Sequence, residues 1–258
     1  MASNIHASAI VHPKAFVPDS CMVGPFCILE DGVVLGEHNT LISHVNVYRG
    51  TTIGSHNKFY PFSAIGCEPQ DWTYKNEPTK LIIGDHNLIR ECVTISRGTV
   101  KGGGTTRIGN NTFIMAYAHI GHDCNVGDNA MLINGAILAG HVNMEEWSVL
   151  GAMSASHQFT TIGAHAYIGG GTICTQDVLP FTKTVARREA ATFGINSVGL
   201  ERRGFSKERI AAIQKAYRIF KRNNTTQALE KLKAEFAGQE DIQRWIDFLE
   251  RSERGVIR

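Results

Sequence analysis

A prism of short parallel strands followed by a small helical domain is the fold class this sequence predicts. Three observations predict it: an apolar residue at every sixth position, glycine recurring directly after that residue, and a change to basic, helix-patterned sequence past residue 182. Stepping by six from Ile5 gives Val11, Val17, Val23, Leu29, Leu35, Leu41, Val47, Ile53, Phe59 and Ile65 without a miss. The phase resumes at Ile83, Ile89 and Ile95. It resumes again at Ile108 and continues through Ile114, Ile120, Val126, Leu132, Leu138, Met144 and Leu150, then through Ser156, its one polar member, to Ile162, Ile168 and Cys174. A fixed period of this kind marks a solenoid.

Each step of six is one flat side. A small or modest residue stands two positions before many of the periodic ones, as at Ala9, Cys21, Val33, Ala118, Cys124, Ala130 and Ala166. Residues two apart on a strand face the same way, so both enter the interior, the smaller one near a corner. The following glycine, as in Gly24, Gly36, Gly54, Gly121 and Gly151, suits a tight bend. Three sides close a rung of 18 residues. Roughly nine rungs stacked ~4.8 Å apart would build a mainly β column on the order of 40 Å tall.

Two segments break the period, 67–82 ("CEPQDWTYKNEPTKLI") and 96–107 ("SRGTVKGGGTTR"), and read as polar loops leaving the prism. The repeat ends near "QDVLPF". Beyond it Ser206 is a candidate N-cap before Ile210, Ile213, Tyr217 and Phe220 at helical spacing. Leu229, Leu232 and Phe236 suggest a second helix, and Ile242, Trp245, Ile246 and Leu249 a third. The expected domains are therefore 1–182, the prism, and 183–258, the helical domain. Charge divides in the same place: 9 Lys+Arg against 14 Asp+Glu in the first segment, 17 against 10 in the second.

Composition narrows the function classes. The start "MASNIHASAIVHP" has no basic region followed by an apolar one, and no apolar run is long enough to span a bilayer, so a cytoplasmic protein without membrane insertion is expected. The six cysteines form no C-x-x-C pair and read as reduced thiols.

The stretch "YAHIGHDC" carries the chemistry. Ile120 points inward, so His119 faces outward, and His122 takes a corner position filled elsewhere by Asp19, Asp31, Glu37, Arg49, Asp85, Arg97 and Glu146, which marks that position as exposed. Leu138 and Ser156 follow Ile120 up the same column, which gathers His119, His122, Asp123, Gly140, His141 and His157 on one outer strip. A carboxylate beside an imidazole orients the ring as a general base, able to take a proton from a sugar hydroxyl or amine. Asp123 adjoins His122 in sequence, so it reaches that ring only if the corner rotates it round. Cys124 fills the small inward slot and reads as core, which favours direct attack over a covalent acyl-enzyme. His119, His122 and His141 also suit three zinc ligands, as in a γ-carbonic-anhydrase-like hydratase.

On "VGPFCI", "PQDWTY", "RECVTISRGTVKGGG", "AHIGHDC", "LAGHV", "SASHQF", "CTQDVLPF" and "GLERRGF", the chain resembles the acyl-carrier-protein-dependent UDP-N-acetylglucosamine acyltransferases of lipid A biosynthesis, within the hexapeptide-repeat superfamily. That resemblance implies a left-handed parallel β-helix and a homotrimer with sites between adjacent prisms. It also implies transfer of a β-hydroxyacyl chain from acyl carrier protein to the sugar 3-position of a UDP-sugar, with no cofactor and no nucleic-acid partner. By motif, His122 resembles the base, Asp123 its orienting residue and Gly140 the backbone donor to the oxyanion. Asp71, His119, His141, His157, Gln158, Asn196, Arg202 and Arg203 resemble substrate contacts, and Gly170 the acyl-length position. Thr73 stands where the motif has lysine, with Lys75 two residues on, and Val198 stands where it has glutamate. An acceptor with a 3-amino group therefore stays beside the 3-hydroxyl one.

Overall fold

The computed structural model describes residues 4–186, 194–202, 204–252 and 256. The chain forms two compact units, Met1–Arg187 and Arg188–Arg258. The first is a left-handed parallel β-helix whose strands, two to four residues long, assemble into three parallel sheets of nine, seven and nine strands. Ile10 pairs with Ile28, Ile28 with Asn46 and Asn46 with Ala64, so one turn of the coil is one 18-residue rung. The periodic residues from Val23 to Cys174 are buried in one continuous core, and so is Ser156, whose hydroxyl lies 2.5 Å from Thr160 Oγ1. Ala118, Cys124, Ala130, Ala136 and Ala166 fill the space beside the corners.

The corners are built from left-handed backbone. The third residue after most of the inward ones has positive φ, including Phe26, His44, Phe62, Asp123, His141 and Phe159, at φ from 51° to 65°. That conformation is costly for a residue with a Cβ. Ring stacking between rungs offsets part of the cost. Phe26, His44 and Phe62 form one column with centroids 4.9 and 4.8 Å apart, and His38, His56 and His86 another at 4.8 and 4.7 Å.

Inside the prism, Asn39, Asn57, Asn87 and Thr112 form a buried ladder. Asn57 N and Nδ2 donate to Asn39 Oδ1 (2.9 and 3.0 Å), Asn87 N donates to Asn57 Oδ1 (2.8 Å), and Thr112 N and Oγ1 donate to Asn87 Oδ1 (both 2.7 Å). Asn57→Leu keeps the branching of the side chain but leaves the Asn87 N–H without an acceptor. The expected loss is about 1–3 kcal/mol of stability, read as a lower midpoint in thermal or guanidinium unfolding; an unchanged midpoint refutes the ladder's role.

Both loops leave from one edge. Cys67 and Ser96 are paired where the chain departs, and Lys80 and Thr105 where it returns. The strands on the next rung up from these are His119–Ile120 and Asn125–Val126, which flank His122 and Asp123. The loops are slightly shorter than the broken periods suggest, because Ala64–Cys67, Lys80–Ile83, Thr94–Ser96 and Thr105–Ile108 are still strand. Arg97 corrects the corner rule: it is 2% exposed, not solvated. Its guanidinium donates to Gly66 O (3.0 Å), Tyr74 Oη (2.8 and 3.1 Å) and Glu68 Oε1 (3.3 Å), tying the first loop to the start of the second.

Lys183–Thr184 still pairs with Tyr167–Ile168, so the first compact unit runs a few residues past the boundary at 182 that composition suggests. In the second unit α1 is Ser197–Arg202, α2 Lys207–Arg222, α3 Thr225–Glu235 and α4 Glu240–Arg251. The Ser206 side chain caps α2 by accepting from Arg209 N (3.3 Å), and Asn224 caps α3 by accepting from Gln227 N (2.9 Å). Ile213, Ala216, Phe220, Ala228, Leu232, Phe236, Ile242, Ile246 and Leu249 form its core. The short α1 has no apolar periodicity long enough to predict it.

Candidate active site

Asp123 is the centre of the site. Its φ of 60° swings the side chain round the corner, so that two residues adjacent in sequence meet: His122 Nδ1 lies 2.8 Å from Asp123 Oδ2. The carboxylate is fully buried, and a buried charge persists only where hydrogen bonds replace water. Thr99 N donates to Oδ1 (2.7 Å) and Thr99 Oγ1 to Oδ2 (2.7 Å). His141 Nε2 lies 3.7 Å from Oδ2, and Asp123 N donates to Thr106 Oγ1 (2.8 Å). Thr99 caps a single 3-10 turn, Val100–Gly102, which lies against the carboxylate, so the second loop is the cover over Asp123.

With Nδ1 donating to Asp123, the His122 ring presents its Nε2 lone pair on the opposite edge. The ring packs against Gly140 on its Cε1 side: a Cβ built there would stand 2.6 Å from His122 Cε1, 2.8 Å from Nε2 and 3.2 Å from Nδ1. Only glycine permits this approach. His141 N donates to His122 O (2.9 Å) and Phe159 N to Gly140 O (3.2 Å), fixing the backbone around Gly140. Among the described residues the Gly140 N–H itself meets no acceptor. His122 and His141 are edge to face with centroids 5.0 Å apart, and His141 stacks on Phe159 at 4.4 Å. The His122 side chain is 15% exposed and that of His141 22%, so both reach the surface from a supported position.

The other expected residues separate into groups. His119 faces outward one strand away, its Nδ1 2.7 Å from Thr94 Oγ1; burial, and secondarily the neighbouring His122, hold its pKa below the ordinary imidazole value. Asp71 reaches the same neighbourhood from the first loop, and its carboxyl is held below the usual range, chiefly by the Thr73 N–H and then the Thr73 hydroxyl. His157 and Gln158 are exposed on the rung above Gly140, with His157 Nδ1 3.1 Å from Gln158 O. Gly170 is exposed, and a Cβ there would meet Ala152 O at 3.1 Å. Asn196 and Arg202 belong to the second compact unit, where Asn196 Oδ1 accepts from Gly199 N (3.1 Å) at the start of α1 and Arg202 is exposed on its last turn. Arg203 lies outside the described residues.

Two chemistries are narrowed by this geometry. Burial pushes the Cys124 thiol up to about 12, and its Sγ donates to Ala139 O (3.0 Å), so it is a packed thiol and no nucleophile. Among the described residues the ligand atoms that converge within 4.8 Å are those of His122, Asp123 and His141, in place of the three histidines a hydratase reading needs. Thr99, Gly102 and Thr106 were not among the expected site residues. Thr99 and Gly102 have as their only sequence signal the Gly-rich "RGTVKGGG", which reads as a loop and gives no sign of closing back on the prism.

Residues 105–140 match the family model for the bacterial transferase hexapeptide, and residues 177–257 that for the second domain of UDP-N-acetylglucosamine O-acyltransferase. The chain is 44% identical over 264 residues to the acyl-[acyl-carrier-protein]–UDP-N-acetylglucosamine O-acyltransferase of Herminiimonas arsenicoxydans, covering 99% of this chain and 100% of the relative. Among solved structures it is similar to the UDP-N-acetylglucosamine O-acyltransferase of Moraxella catarrhalis (40% identity, TM-score 0.70, 99% and 100% of the two chains). It is also similar to that of Francisella novicida (38%, 0.71, 98% and 94%).

Proposed function

The chain belongs to the acyl-carrier-protein-dependent UDP-N-acetylglucosamine O-acyltransferases, and on that premise we propose that His122 is the base of its transfer, oriented by Asp123, with the Gly140 N–H stabilising the oxyanion. The observation that carries this reading is the 2.8 Å contact of His122 Nδ1 with a buried carboxylate, which leaves Nε2 to accept a proton on a ring packed against Gly140. The enzyme moves an acyl group from acyl carrier protein to the sugar of UDP-N-acetylglucosamine. In our mechanism Nε2 takes the proton of the sugar 3-hydroxyl as its oxygen attacks the thioester carbonyl. A C–O bond forms, and the carbonyl electron pair moves to an oxygen that accepts from Gly140 N–H. Collapse breaks the C–S bond, and the imidazolium returns its proton to the departing thiolate. Asp123 stabilises that transient cation and keeps its own proton count unchanged, as in other imidazole–carboxylate pairs.

Asp71, His119, His141, His157 and Gln158 are read as acceptor contacts, Asn196, Arg202 and Arg203 as contacts to nucleotide or donor, and Gly170 as the position that admits a longer β-hydroxyacyl chain. A homotrimer is supported by the outward row on the face that carries His119, where Ile28, Ile137 and Ile173 are exposed, and by Trp72, which is fully exposed. No helix among the described residues is long and apolar enough to cross a membrane, and the cysteines are free thiols; we place the enzyme in the cytoplasm. Mass spectrometry of products from a panel of β-hydroxyacyl carrier proteins tests the reading. UDP-N-acetylglucosamine and its 3-amino analogue would be the acceptors, with native mass measured on the same sample. An ester cleaved by mild base, made by an assembly of three 28.3 kDa chains, is expected. A product only from the amino sugar, which the Thr73 and Val198 departures leave as the second reading, overturns O-transfer.

A further inference from the structure

We propose that Lys101 is a phosphate-binding residue of this site, brought by the second loop onto the first. Lys101 is exposed in the turn that covers Asp123, and its Nζ donates to Thr73 Oγ1 at 3.0 Å. That hydroxyl in turn donates to Asp71 Oδ1 (2.9 Å), to which Thr73 N also donates (2.7 Å). The hydroxyl thus bridges an ammonium on one loop and a carboxylate on the other. Among the described residues Lys101 has no carboxylate within ion-pair distance, so the charge is held in place without being neutralised by a direct pair. The other N–H bonds of the ammonium are available to a ligand.

The position of that charge gives it a use. Lys101 and His122 both contribute to the field at Asp71, which places the ammonium in the neighbourhood of the proposed base. The segment 1–182 carries 9 basic against 14 acidic residues, a balance that repels anions in general. Both substrates are anionic at phosphorus: the acceptor carries a nucleoside diphosphate, and the carrier protein's acyl group rides on an arm with a phosphodiester. A lysine meets such oxygens as a mobile point charge, which suits a loop tip better than a fixed bidentate fork. Lys75, the lysine nearest to Thr73 in sequence, has its own backbone N–H turned to Glu77 Oε2 (2.7 Å) within the first loop.

This inference rests on the acyl-transfer reading, and steady-state kinetics separates the two. Wild type, Lys101→Ala and Lys101→Arg are compared with each substrate varied in turn at low and high salt. The expected result is an approximately tenfold rise in one KM for Lys101→Ala, about 1.4 kcal/mol, with kcat nearly constant, substantial recovery in Lys101→Arg, and a weaker salt dependence of kcat/KM in the alanine variant. A rise confined to the sugar nucleotide assigns the diphosphate; one confined to the acyl carrier protein assigns the phosphodiester of its arm. Unchanged KM for both substrates in a Lys101→Ala protein that still transfers overturns the assignment. Equal loss of kcat in both variants at constant KM means loop packing, and overturns it too. A wild-type protein that transfers nothing overturns the underlying reading of function instead.

Discussion

His122→Ala is expected to lower kcat by roughly 10²–10⁴-fold while the protein unfolds at nearly the wild-type temperature. The two halves of that result have different physical origins. Activity falls because the variant has no Nε2 beside Gly140 to accept the hydroxyl proton; the neighbouring imidazole, His141, already has its Nε2 turned toward Asp123 at 3.7 Å. Stability persists because the buried Asp123 keeps both Thr99 donors, and because the core beneath is built from Ile120, Cys124 and Leu138, which the His122 ring does not join. Acyl transfer measured beside a thermal melt separates these effects. Retained transfer would remove His122 from the base role, and a large drop in melting temperature would recast it as a packing residue. KM for the sugar nucleotide should change less than kcat, since proton removal develops in the transition state.

The parts of this molecule that follow a period were legible in its sequence. The in-phase residues from Val23 to Cys174 are inside because a strand on a closed prism has one inward side, and a period of six sustained for so long marks such a coil. The same counting brings His122, Gly140 and His141 to one edge. It also leaves Asp123 on the wrong side of a pleat, and the left-handed φ at the corner resolves that conflict. Segments that leave the period carry no such register. Arg97 shares the corner position of exposed acids and is nevertheless buried, because the first loop supplies Glu68 and Tyr74 as acceptors and the strand before it supplies Gly66 O. Thr99 and Gly102 are silent for the same reason: their partner, Asp123, is distant in sequence and is reached by a loop whose path depends on two glycines with positive φ, Gly103 and Gly104.

Gly102→Ala should cost nearly as much activity as loss of the base, although the residue contacts no substrate in our mechanism. A methyl built on Gly102 would stand 2.0 Å from Asp123 Cγ and 2.3 Å from each carboxylate oxygen, far inside van der Waals contact. The carboxylate has no free direction in which to retreat. Thr99 N holds one oxygen, and Thr99 Oγ1 and His122 Nδ1 hold the other. Either the turn lifts, breaking the two Thr99 bonds and admitting water to a buried charge, or Asp123 swings away and releases the His122 ring; both outcomes disorder the base. We expect a fall in kcat of roughly 100-fold with a modest change in melting temperature, because the loop lies off the prism core. Thr99→Ser keeps both donors and should stay near wild type, whereas Thr99→Val loses the hydroxyl donor to Oδ2 and should fall between the two. If Gly102→Ala transfers at the wild-type rate, the second loop does not position the base, and the buried carboxylate must be held in the working enzyme by something other than Thr99.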